Sequence, residues 1–278
     1  MKPIALLTLA ALTLLPVPFA RAADALPPAE GQAKERLNTS PRHGEWAEIA
    51  VPGSDKKMKA WVVYPERKDK APVVIVIQEI FGLSDWIRSV ADQLAADGFI
   101  AIAPDLLSGP GGAGTDALGD RDAVTKAVRG LKDDVVTQML NATRDYGKAL
   151  PSASGKTACV GFCWGGGTSF RYATEQPELD AAVVYYGTSP NAAALEKLKC
   201  PVLGNYGGND NRVNATIKPA EDKLKQLGKS YSPNIYEGAG HGFLRQQSGK
   251  DGANQKAADQ AWGETAAFLK KNLEGESE

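Results

Sequence analysis

The sequence predicts an α/β fold, a mostly parallel central sheet with helices on both faces, entered through an antiparallel hairpin. Two observations carry this. Short runs that are apolar without interruption alternate with stretches of helical periodicity, and strands that read this way are buried on both faces, as in a parallel sheet. Ahead of them, two runs of strand character flank a Gly-Ser-Asp turn, which is the pattern of a hairpin.

The hairpin strands are "EWAEIAVP", Glu45 to Pro52, and "MKAWVVYP", Met58 to Pro65. The buried strands that follow are Val73 to Ile77, Phe99 to Ala103, Thr157 to Phe162, Ala181 to Tyr186, Val202 to Tyr206 and Pro233 to Tyr236. Between the first two of these, Trp86, Val90 and Leu94 recur every four residues behind Ser84 and Asp85, which can cap a helix, and Gly98 suits its left-handed end. Further helices are expected at Lys132 to Leu150, Gly166 to Thr174, Ala215 to Leu227 and Ala253 to Leu273. The glycine-rich "SGPGGAGTD", Ser108 to Asp116, is either a floppy surface connection or a lid over the carboxyl edge of the sheet.

The chain has 278 residues, 43% hydrophobic and 23% charged, enough to bury one sizeable core. With 32 Lys and Arg against 33 Asp and Glu, and no long block of either sign, nothing favours nucleic acid or an anionic membrane as a partner. Residues 1–22 read as a cleavable signal peptide: Lys2, an apolar run from Ile4 to Leu15, then Ala20-Arg21-Ala22 as the cleavage site. Pro16 and Pro18 cut the run short of the roughly 20 apolar residues a membrane span needs, so no anchor is expected after cleavage. The mature protein is then periplasmic or secreted, with a polar, flexible lead over residues 23–41 and one catalytic domain over 42–275. A monomer is expected.

Three cysteines, Cys159, Cys163 and Cys200, leave at least one thiol free in an exported chain. Cys159 and Cys200 are either paired or two buried thiols. Their spacing rules out Cys-x-x-Cys redox chemistry, and with only two His there is no basis for a structural zinc site. No metal or organic cofactor is implied. Gly155-Lys156-Thr157 imitates the end of a phosphate-binding loop, but the first Gly of that motif would fall at Leu150 and the strand follows the motif instead of preceding it.

Cys163 lies in a different setting. "GFCWG", Gly161 to Gly165, places it between two glycines where a strand runs into a helix, a nucleophile elbow with the thiol at its apex. The helix N-terminus there favours a thiolate below the ordinary thiol pKa of about 8.5. Such an elbow calls for an acid and then a histidine, each in a loop after a later strand. Asp210 follows Val202 to Tyr206, and His241 follows Pro233 to Tyr236. The imidazole serves as base and the carboxylate fixes its tautomer. Donors for an oxyanion are expected from the backbone N–H of Trp164, next to the nucleophile, and of Ile80, in the loop after the first buried strand.

Taken together, "QEIFG", "APDL", "GFCWGG", "YYG", "GGND" and "EGAGHGF" resemble the dienelactone hydrolase family, carboxymethylenebutenolidase-like cysteine members of the α/β-hydrolase fold, over roughly Trp46 to Leu273. The resemblance implies that Glu79 contacts the thiol and helps activate it. It also implies two arginines that clamp a substrate carboxylate. Arg245 fills one position, either orienting a mono-anionic ester or binding only a neighbouring carbonyl or solvent. The other position, after Pro104-Asp105-Leu106, holds no basic residue. The reading is therefore a cysteine hydrolase of small esters or lactones. A non-catalytic binding protein on the same scaffold and a thiol redox or sensor protein are the alternatives.

Overall fold

The computed structural model describes residues 26–275; the expected signal peptide lies outside them. Strands β1 (Gly44–Ala50) and β2 (Lys57–Val63) form the antiparallel hairpin, and β3 (Ala71–Ile77), β4 (Ile100–Pro104), β5 (Ala153–Phe162), β6 (Ala181–Tyr185), β7 (Val202–Gly207) and β8 (Tyr231–Tyr236) complete an eight-stranded sheet in the order β1-β2-β4-β3-β5-β6-β7-β8. β2 pairs antiparallel with both β1 and β4, and every other pairing is parallel. The helices are α1 (Ala33–Thr39), α2 (Asp85–Ala96), α3 (Thr115–Leu118), α4 (Arg121–Arg129), α5 (Asp133–Ala149), α6 (Trp164–Glu175), α7 (Ala192–Leu195), α8 (Asn211–Asn214), α9 (Ile217–Gln226) and α10 (Ala253–Leu273). This is the α/β architecture expected from the sequence.

Alternation along the strands divides the core in two. Val73, Ile75 and Ile77 face one way, against Val136, Met139 and Leu140 of α5 and Phe170 of α6. Val74 and Val76 face the other, against Trp86, Val90 and Leu94 of α2 and Trp262 of α10. Because β3 feeds both layers, every one of its seven residues is buried. Each fully buried Val or Ile contributes about 1.5–3 kcal/mol of hydrophobic stabilisation. The Ser84 hydroxyl accepts from the Ile87 N–H at the start of α2, and Gly98 follows its end with φ 106°.

Strand order reverses between β3 and β5: the chain first moves outward to β4 and then returns to lay β5 on the other side of β3. In open α/β sheets, a crevice opens at the carboxyl ends of the strands flanking such a reversal. The turns that leave β3 and β5 therefore meet there.

Two segments depart from the sequence reading. Residues 26–41, expected as a flexible lead, are docked on the domain: Trp86 Nε1 donates to Pro28 O at 3.0 Å, Gln247 Nε2 to Pro27 O at 2.9 Å, and the Glu30 N–H to Arg245 O at 3.0 Å. Ala33 of α1 is buried within the layer that α2 and α10 cover. Polarity misled here, because the segment is held by backbone hydrogen bonds, by the Glu30 and Ser40 side chains and by a few buried residues, without a periodic apolar stripe. The glycine-rich loop is tied down too. Asp105 accepts from the Thr115 N–H at 2.8 Å and the Thr115 hydroxyl at 2.7 Å, and that hydroxyl in turn accepts from the Leu83 N–H at 3.0 Å. Among the described residues, no helix is long and apolar enough to cross a membrane. Cys159 and Cys200 are buried free thiols, and the Cys159 sulfur lies 3.1 Å from the Ser169 hydroxyl.

Candidate active site

β5 hands over to α6 at Cys163, whose backbone takes φ 56° and ψ −114°. Close backbone approaches allow so sharp a turn. A Cβ on Gly161 would lie 1.9 Å from the Gly165 carbonyl oxygen, and one on Gly165 would lie 2.2 Å from the carbonyl oxygen of Gln78. Glycine at both positions is thus a steric requirement. The Cys163 N–H is anchored by Tyr185 O at 3.0 Å.

β7 and β8 bring up the partners. Asp210 caps α8, which holds its carboxylate in place, and one oxygen lies 2.5 Å from His241 Nδ1. His241 Nε2 lies 3.1 Å from the Cys163 sulfur. Sulfur, imidazole and carboxylate, 78 and 31 residues apart along the chain, form one hydrogen-bonded row. Asp210 is 8% exposed, so the ring is pinned from its dry side while its other edge faces the thiol.

Cys163, His241, Trp164 and Ile80 line one cleft of about 810 Å³, with Tyr186, Thr168, Arg129 and Arg212 among its other walls. Among the described residues the Ile80 N–H meets no protein acceptor, and the Trp164 N–H points towards the Cys163 sulfur. The glycine-rich loop contributes nothing to this cleft and lies instead beside Trp46 and Lys59 of the hairpin. No group of three or more His, Cys, Asp or Glu side chains among the described residues could hold a metal ion.

Glu79 and Arg245 are placed differently from what the family resemblance implied. Glu79 is 3% exposed and makes no hydrogen bond to the thiol; its Oε2 lies 2.8 Å from Arg245 Nε. The Nε–H is not aimed at that oxygen, so the contact is ionic and not a hydrogen bond. Arg245 also donates from Nη1 to Glu30, and its guanidinium lies 5.1 Å from the centre of the Phe81 ring. Enclosed by two carboxylates and only 9% exposed, Arg245 presents no free fork to a substrate.

Burial sets the charge states. It pushes the Glu79 carboxyl up to about 7, against the pull of Arg245. It also pushes the Cys163 thiol up to about 11, and the negative charge of Glu79 adds to the rise. The Trp164 N–H and Arg212 act in the opposite direction but do not prevail. Against the thiolate expected at a helix N-terminus, burial and the charge of Glu79 hold the thiol up, and the Trp164 N–H, Arg212 and Arg245 offset them only in part.

Two residues of the site escaped the sequence reading. Tyr186 has φ 39°, is fully buried, and lies with its ring 5.2 Å from that of His241. Among the described residues its hydroxyl has no hydrogen-bond partner. The "YYG" at the end of β6 was the available signal. Glu30 reaches Arg245 across 215 residues of sequence, and no local pattern foretells that pairing.

The dienelactone hydrolase family model matches residues 58–273. The chain belongs to the dienelactone hydrolase family. A protein assigned as a carboxymethylenebutenolidase in Yersinia pestis is 32% identical over 223 residues, 75% of this chain and 83% of its own length. Its counterpart in Escherichia coli strain K12 is 31% identical over 210 residues, 70% of this chain and 76% of the relative. A crystal structure assigned as a dienelactone hydrolase from Klebsiella pneumoniae superposes with a TM-score of 0.71 at 28% identity, covering 82% of this chain and 98% of that one. The family match begins at Met58, so the docked segment that carries Glu30 lies ahead of it.

Two predictions follow from the charge states. Because the thiol titrates near 11, the rate of Cys163 alkylation by iodoacetamide should climb about tenfold per pH unit from 7 to 9; a rate already level at pH 7 would contradict it. Glu79 titrates near 4.5 unfolded and near 7 folded, so between those values the folded state holds the extra proton and stability falls as pH rises. Glu79→Gln should accordingly raise Tm at pH 8, with the gain shrinking towards pH 5. A Tm gain that is absent at pH 8, or that grows on acidification, would contradict this.

Proposed function

We propose that the protein hydrolyses carboxylic esters or lactones, with Cys163 as nucleophile, His241 as general base and acid, and Asp210 as the group that orients the imidazole. Membership of the dienelactone hydrolase family supports a hydrolase of ester or lactone bonds. The observation that carries the finer reading is the unbroken row from the Cys163 sulfur through His241 to Asp210.

The protonated resting thiol dictates the order of events. As the sulfur attacks the carbonyl carbon, its proton passes to Nε2, so the charge on sulfur never has to be borne alone in the buried site. The carbonyl π electrons move onto oxygen, and the N–H groups of Ile80 and Trp164 stabilise that oxyanion. When the tetrahedral species collapses, the alkoxide leaves with the proton from Nε2, and an acyl-thioester remains. Water then attacks the thioester, giving its proton to Nε2; collapse expels the sulfur, which recovers the proton. Asp210 keeps Nδ1 protonated throughout and stabilises the transient imidazolium.

Glu79 is not assigned the thiol's proton, because its carboxylate is turned to Arg245. The reading needs no cofactor and no second chain, since every group named belongs to one polypeptide. It includes export: residues 1–22 would be removed and the enzyme would act in the periplasm or outside the cell on small-molecule substrates. A thiol redox role is less well supported, because Cys159 and Cys200 are buried and neither offers an accessible resolving thiol.

The test is steady-state hydrolysis of p-nitrophenyl acetate. Cys163→Ala and His241→Ala should each lose at least about 100-fold in kcat/KM, and Cys163→Ser should fall with them, since an alcohol needs a stronger base. Equal rates in wild type and both alanine variants would remove the mechanism.

A further inference from the structure

We propose that Glu30 is a positioning residue for the oxyanion hole: it gathers Arg121 and Arg245 against Phe81 and so fixes the turn that presents the Ile80 N–H. The proposal rests on the hydrolase reading above and adds to it a part from ahead of the family match, which begins at Met58.

Ile80 lies in a tight turn after β3, in which the Gly82 N–H donates to Glu79 O at 3.2 Å. β3 fixes the entry to this turn. Its exit is fixed by the Leu83 N–H, which donates to the Thr115 hydroxyl at 3.0 Å. Among the described residues, the Ile80 and Phe81 peptide groups between these anchors enter no backbone hydrogen bond. The tip of the turn is therefore placed by side chains, and Phe81 is the one held from outside.

The Arg121 guanidinium lies 3.6 Å from the centre of the Phe81 ring, and that of Arg245 lies 5.1 Å from it. A ring attracts each cation by only about 0.5–1 kcal/mol where solvent reaches it, and two cations at one ring repel each other. An anion shared between them removes the conflict. Glu30 supplies it: one carboxylate oxygen accepts from Arg245 Nη1, and the other lies 3.4 Å from Arg121 Nη2. Glu79 is in ionic contact with Arg245 alone among the described residues, so it cannot do the same for Arg121.

Glu30 is itself precisely delivered. Its N–H donates to Arg245 O at 3.0 Å, and the carbonyls of Pro27 and Pro28 just before it accept from Gln247 and Trp86. The carboxylate thus comes from a docked backbone, and its hold on Phe81 passes to the next residue in the chain, Ile80, which lines the cleft with Cys163. Losing an oxyanion donor outright costs about 100- to 1,000-fold in rate, so a turn left loose by removal of Glu30 costs a measurable part of that.

The experiment follows two reactions of the same sulfur. Hydrolysis of p-nitrophenyl acetate passes through an oxyanion, whereas alkylation by iodoacetamide does not. Both are run at pH 9, because Glu79 titrates near 7 under the influence of Glu30 and is ionised in every variant at that pH. Glu30→Gln should lower kcat/KM for the ester about tenfold and leave the alkylation rate within about twofold of wild type. Glu30→Asp should recover part of the loss. Arg121→Gln, altered at an exposed side chain on α4, should show the same split independently, and the Glu30→Gln/Arg121→Gln double variant should lose no more than the sum of effects through one shared contact allows, that is, about as much as Glu30→Gln alone. Ester hydrolysis within about twofold of wild type in both single variants, or an equal loss of both reactions, would overturn the positioning role while leaving the hydrolase intact. If wild type hydrolyses no ester, the hydrolase reading fails and the positioning role falls with it.

Discussion

At Cys163 the chain passes from strand to helix through φ 56° and ψ −114°, a backbone state that costs of order 1–3 kcal/mol for a residue with a side chain. Everything else in the site depends on that turn being held. It is held because Gly161 and Gly165 let three segments of backbone approach more closely than any Cβ would permit, and because Tyr185 O fixes the Cys163 N–H. The strain lifts the sulfur above the sheet edge and aims it at His241. With β3 and β5 flanking the reversal of strand order, the same turn brings the Ile80 loop and the Trp164 N–H to one crevice.

Around this row the protein keeps a second set of charges, buried at Glu79 and Arg245 and exposed at Glu30 and Arg121. Arg245 pairs with both Glu79 and Glu30, and Arg121 supplies a second positive charge at Glu30. A carboxylate as deeply buried as Glu79 is costly unless paired, and Arg245 meets that need at the expense of being available to ligands. The docked N-terminal segment thereby reaches this charge cluster: Glu30 comes from ahead of the family match and pairs with Arg245 inside it. In the proposed mechanism a thiol held up by burial gives its proton to His241 only as it attacks, so an unoccupied site would hold little thiolate.

Much of this was legible in the sequence, for a physical reason. Buried parallel strands must be apolar on both faces, so β3, β4, β6 and β7 announced themselves within one or two residues of their ends. An elbow needs glycines at fixed offsets, and the acid and base must follow later strands, which located Asp210 and His241 as the residues that meet Cys163. What the sequence concealed was long-range polar pairing. Glu79 and Arg245 could be assigned to the site but not to each other, since they lie far apart in the chain and no local pattern joins them. The segment leading into α1 was concealed because Pro27 and Pro28 carbonyls and the single buried Ala33 hold it, with no apolar repeat to read. Helix α4 was overlooked although Asp120 caps it and Val124 and Val128 are spaced four apart. The state of the thiol was misjudged because the dipole can be read from a strand-to-helix turn, whereas burial is a property of the assembled fold.

The central claim is that the Cys163 sulfur becomes acylated during turnover. Mixing the enzyme with p-nitrophenyl acetate, quenching in acid during turnover and measuring intact and peptide masses tests it directly. The account predicts one acetyl group, located on the peptide that contains Cys163 and released by hydroxylamine. Protein that turns over the ester yet carries no acetyl group, or carries it on another residue, would contradict the account.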